Sequence, residues 1–172
     1  MTIFDQKQIV KHTSMIRIFQ SVFCGVFFFF LFGFFLGACH HNTPSPVPEY
    51  PVYFEISLHS AQGKSLNAPG GYIYVTQPNK EGEQIGHGGL LILCSPAHKG
   101  TYYAYDLTCP HEVSSGSKLF VNEQFEAECS QCHSTFSILY GGGNPLNGLA
   151  TGPLLCYKVI PTNGNTLVVT NR

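Results

Sequence analysis

The chain has 172 residues, with nine Lys and Arg against ten Asp and Glu and a formal charge of -1. That length supports one domain, and no cluster of basic residues beyond the N-terminus offers a footprint for nucleic acid. Most of the 14 Phe fall between Phe19 and Phe35, so the apolar content is a local feature and not the mark of a greasy core.

That local feature reads as a targeting segment over residues 1–38. Lys7, Lys11 and Arg17 form a basic start, and Ser21 to Leu36 carries no charge and is almost wholly apolar. The run ends at LGACHHN, where Gly37 and Ala38 precede Cys39, and this resembles the lipobox of bacterial lipoproteins. Cleavage before Cys39 and its lipidation are what the likeness implies, with attachment to the cell-envelope membrane and a domain facing the periplasm or exterior. A permanent membrane anchor is the alternative reading, because the run is close to the spanning minimum. Residues 39–50 include HHNTPSPVPEY, rich in proline, and read as an extended, flexible tether. A folded domain is expected over 51–172.

From there the pattern is β. VYFEISL, GGYIYVT, GGLLILC, TYYAYDL, KLFVNEQF, FSIL, LLCYKVI and TLVVT follow one another between Gly, Pro and Asn turns, and no stretch holds a helical period. Many short strands at this spacing predict an all-β domain, an antiparallel sandwich or barrel.

Two segments carry ligand chemistry. DLTCPHE places Cys109 and His111 one residue apart, and ECSQCHSTF brings Cys129, Cys132 and His133 together. Two loops that each present a pair of soft ligands are what a small inorganic centre requires. Cys129-x-x-Cys132 alone is ordinary for zinc, and three Cys with one His make a common tetrahedral set. A Cys129–Cys132 disulfide is a further option in an oxidising compartment.

The two segments resemble the ligand boxes of the Rieske 2Fe-2S family, Cys-x-His and Cys-x-x-His. The likeness runs from about Gly88 to Val169, through the strands before the first box, STFSI after the second, and GLATGPLLCYKV. The opening of the domain is similar to Rieske-like lipoproteins of the Bacteroides group. The resemblance implies a small cluster-binding subdomain, a 2Fe-2S cofactor, and a loop through Gly152 and Pro153 that covers it. It also implies a one-electron carrier or accessory redox module, serving an unknown redox partner protein. The second box departs from the family: Cys132 stands where a histidine is expected and His133 where glycine is usual. The implied metal ligands are therefore Cys109, His111, Cys129 and Cys132, with His133 as the alternative fourth. Three thiolates would lower the potential relative to two-histidine centres. A binding or structural module with zinc, a disulfide or an empty site is the alternative.

The remaining residues read more plainly. Cys94 and Cys156 lie in apolar runs, as packed thiols or as a mutual disulfide. Asp106 and Glu112 flank the first box without a partner carboxylate at a recognisable spacing, and no nucleophile triad, phosphate loop or nucleotide fingerprint is present. Hydrolytic acid-base work therefore has no sequence support, and the chain reads more as an electron-transfer or accessory protein than as a catalyst by itself.

Overall fold

The structure is a computed structural model that describes residues 43–162 and 165–171. The expected targeting segment and Cys39 lie outside the described residues. Among those described, no helix is long and apolar enough to cross a membrane, and the only helical pieces are two 3-10 turns, Gly63–Asn67 and Val113–Ser115.

Among the described residues, eleven strands make an all-β, antiparallel architecture: β1 Val52–Ser57, β2 Tyr72–Val75, β3 Gln84–Ile85, β4 Leu90–Cys94, β5 Tyr102–Asp106, β6 Leu119–Val121, β7 Glu126–Cys129, β8 Thr135–Ser137, β9 Pro145–Asn147, β10 Cys156–Thr162 and β11 Thr166–Thr170. A seven-stranded sheet runs β2-β4-β5-β10-β11-β1-β3, and a smaller one runs β6-β7-β8-β9. The expected all-β class with a small subdomain bearing both boxes is therefore what the chain forms.

β4 explains how the two sheets meet. Its sequence LLILC is buried at every position, where a half-exposed strand would alternate. Leu90 and Ile92 belong to the core enclosed by the large sheet, together with Phe54, Val75, Leu167 and Val169. Leu91 and Leu93 point the other way, into a second core with Tyr105, Leu119, Ala127, Phe136 and Ile138 from β5 and the small sheet. Each fully buried Leu or Ile contributes about 2 kcal/mol, so one strand serves two cores. Since β1 and β2, far apart in the strand order, both feed the first core, the large sheet curls over on itself.

A buried carboxylate fixes the approach to the first box. Asp106 is fully buried and accepts N–H bonds from His87 (2.8 Å), Gly88 (2.9 Å) and Thr108 (2.8 Å) and the Tyr157 hydroxyl (2.7 Å). It thereby ties the β3–β4 turn, the stem of the first box and β10 together. A Cβ on Gly88 would lie 2.7 Å from Asp106 Oδ1, so only glycine allows this approach. Burial and the Asp106 charge hold the Tyr157 hydroxyl far above its usual range, which keeps it a proton donor to that carboxylate.

One expectation changes, and one alternative falls away. The tether assigned to 39–50 is tied down in its second half: Val47 is 2% exposed and joins the first core, and Pro46 lies against Gly152, where a Cβ would approach its Cδ to 2.7 Å. An apolar side chain flanked by prolines gains more from burial than an extended segment loses in freedom. Cys94 is a buried thiol and not one half of a mutual disulfide, while the Cys156 sulfur lies near the carbonyls of Leu154 (3.4 Å) and Gly142 (3.7 Å). β4 and β10 pair with opposite edges of β5, Cys94 across from Tyr102 and Cys156 across from Tyr105.

Candidate metal centre

The two boxes become neighbours through the strands that carry them. Beyond β5 the chain continues so that Leu107 O accepts from Leu119 N (2.9 Å) and Thr108 forms a bridge with Lys118. β6 then pairs with β7 in a register that sets Leu119 opposite Cys129. The first box leaves one strand extension, and the second leaves the neighbouring hairpin at the same end.

Each loop is tightly closed. In the first, Glu112 N donates to Cys109 O (3.1 Å), and the N–H groups of His111 and Glu112 face the Cys109 sulfur. In the second, Cys129 N donates to Ser134 O (3.0 Å) and His133 N to Cys129 O (3.1 Å). The turn closes with His133 at φ 55, a left-handed conformation that a glycine adopts more cheaply than a histidine.

Three of the expected ligands gather. The Sγ atoms of Cys109, Cys129 and Cys132 all lie within 4.8 Å of one another, with Cys109 and Cys132 3.7 Å apart. All three are free thiols, so the Cys129–Cys132 disulfide does not form. Cys109 and Cys129 are fully buried and Cys132 is half-buried. His111 does not join the group: its ring lies 3.8 Å from the Glu112 carboxylate, because the backbone of its loop, not its side chain, faces the sulfur. Nor does His133, whose ring is 72% exposed and meets Glu128 at 3.2 Å.

Ser134 controls the third thiol. Its buried Oγ accepts from Leu149 N (2.9 Å) and Ala150 N (3.0 Å) and lies 3.2 Å from Cys132 Sγ. The neutral Cys132 thiol donates to this oxygen, and on ionisation of the sulfur the hydroxyl hydrogen turns to it instead. Burial raises the Cys132 thiol, but the hydroxyl and N–H of Ser134, followed by the neighbouring Cys129 and Cys109, outweigh it and leave Cys132 below the ordinary thiol value. Cys109 goes the other way, pushed up to about 12, chiefly by burial. A cation entering the group must therefore displace a proton from Cys109, while Cys132 gives up its proton more readily than an ordinary thiol.

The loop after β9 thus reaches the second box through Leu149 and Ala150, while Gly152 packs on Pro46. Gly148, at φ +97, makes this possible: a Cβ there would sit 2.5 Å from Ser134 Cα. The roles of Ser134 and Gly148 were missed from sequence. The signal for Ser134 was present, since it shares the inward phase of Phe136 and Ile138, and a polar group at an inward position demands partners.

The donor set suits a soft metal ion. With metal–sulfur bonds of about 2.3 Å, two thiolates on one tetrahedral ion stand about 3.8 Å apart, close to the 3.7 Å between Cys109 and Cys132. The 2Fe-2S cluster implied by the resemblance fits less well. Thiolates on different irons are separated by the iron–iron vector as well as by both bonds, yet all three sulfurs here lie within 4.8 Å. Neither His111 nor His133 falls within the 4.8 Å group of thiols.

No family model matches the chain, and no curated protein matches it. Among solved structures it is similar to the ferredoxin of carbazole 1,9a-dioxygenase from Nocardioides aromaticivorans IC177, at 18% identity and a TM-score of 0.42, over 71% of this chain and 98% of that one.

Ser134→Ala should strand the N–H groups of Leu149 and Ala150 and remove the donor to Cys132. The expected loss is about 1–3 kcal/mol in denaturant unfolding of the metal-free protein. Alkylation of Cys132 should also need a higher pH. An unchanged unfolding midpoint together with an unchanged alkylation profile would show that Ser134 does neither job.

Proposed function

We propose that the chain is a one-electron carrier or accessory redox module on a Rieske-like frame, its centre an iron held by the thiolates of Cys109, Cys129 and Cys132. The observation that carries this reading is the convergence of three thiols from two loops. The chemistry a bound iron supplies is one-electron exchange. The protein supplies a dry, sulfur-rich pocket beside the second core, a hydroxyl aimed at Cys132, and a half-exposed edge at that residue through which a partner approaches. The likeness of the boxes to the Rieske family supports electron transfer as the role.

A second reading is favoured by the Cys109–Cys132 separation, which also suits zinc. The module would then be structural. Anaerobic purification separates the two. The redox reading expects iron, visible thiolate-to-iron bands that disappear in Cys109→Ser and Cys129→Ser, and reversible reduction by one electron. Zinc at about one equivalent, with no iron taken up on anaerobic reconstitution, would make the protein a non-redox module.

The same proposal places the domain on the cell envelope, held to the membrane by lipid on Cys39. The support is the small residues and cysteine that end the apolar run. Cys39→Ser should then block incorporation of labelled palmitate and leave an unprocessed precursor. Undiminished labelling would remove the anchor from the proposal.

A further inference from the structure

We infer that the site takes a single metal ion on Cys109, Cys129 and Cys132, and that its fourth coordination position is left open to a small exogenous ligand. This rests on the reading above that the three thiols bind metal, and it goes further by fixing nuclearity and the open position.

Three observations carry it. First, the spacing: the sulfurs lie within 4.8 Å of one another, with one pair at 3.7 Å, which is the compact spread of ligands around one ion and not around two. Second, the spread is fixed. Cys129 and Cys132 share a turn closed by Cys129 N to Ser134 O and His133 N to Cys129 O. Cys109 follows a stem pinned by the Thr108–Lys118 bridge and by Thr108 N donating to the buried Asp106. Third, among the described residues no His, Asp, Glu or further Cys joins the three thiols. The two nearby imidazoles lie outside the group, His111 3.8 Å from the Glu112 carboxylate and His133 3.2 Å from Glu128. Cys132 is the half-buried member of the set, so access for an outside ligand lies on its side. Three protein ligands with a fourth position left to solvent is the arrangement by which metal sites bind or activate small molecules.

The test uses the full-length chain freed of metal. Cobalt(II) titration should saturate at one equivalent with tetrahedral ligand-field bands. Thiolate-to-cobalt charge-transfer intensity should drop by about a third in Cys132→Ser, the half-buried position least needed for folding. Azide or imidazole should shift the ligand-field bands, and His111→Ala and His133→Ala should change neither stoichiometry nor spectrum. Reconstitution with iron and sulfide should give one iron per chain and no acid-labile sulfide. Two irons with two sulfides per chain would overturn the single-ion site while leaving the iron–thiolate function standing. Failure to bind any metal would remove both. Bands indifferent to azide and imidazole, or metal lost in His111→Ala, would overturn the open position alone.

Discussion

The geometry of the site hangs on one short piece of backbone pairing, Leu119 N to Leu107 O with the adjacent Thr108–Lys118 bridge. It carries the chain from the large sheet into the small one, and it sets the stem of the first box beside the hairpin that carries the second. Closing that connection costs chain entropy. The second core offsets it, because Leu91, Leu93, Tyr105, Leu119, Ala127, Phe136 and Ile138 bury their side chains only when the small sheet folds onto β4 and β5. Cys109 and Cys129 belong to that same core. The ligands are therefore positioned by packing, and the pocket exists before any ion arrives.

A preformed group of thiols raises an electrostatic difficulty. Thiolates this close repel one another, and burial removes the water that would otherwise solvate them. The protein divides the burden unequally. Cys109 is kept protonated by burial, while Cys132 receives the hydroxyl of Ser134 and is eased toward the thiolate. A divalent ion resolves the conflict, since its charge permits all three to ionise together.

Much of this was legible in the sequence. The all-β class followed from short β-branched and aromatic runs between turn residues, and LLILC stood out as a strand with no polar face. The two boxes were visible as ligand pairs. Other elements were hidden for physical reasons. β7 reads EAEC, with poor strand formers at the outward Glu126 and Glu128, and only Ala127 and Cys129 facing in. β9 begins with a proline, which a sheet tolerates at an edge. Val47 looked like part of a proline-rich tether because one apolar residue gives no periodicity. At His111 spacing says less than it suggests: two residues from Cys109 is near in sequence, but the loop turns backbone N–H groups toward the sulfur and the ring lies beside Glu112. Asp106 seemed to lack a partner because its partners are three N–H groups and a hydroxyl, which no carboxylate pattern announces.

The central claim is that thiols from two loops surround one metal ion. X-ray absorption at the metal edge of the loaded, full-length protein tests it most directly. The account predicts three sulfur neighbours at about 2.3 Å, one lighter neighbour from an outside ligand, and no scattering from a second metal. A metal–metal vector, or a shell of nitrogen and oxygen in which sulfur is the minority, would contradict it.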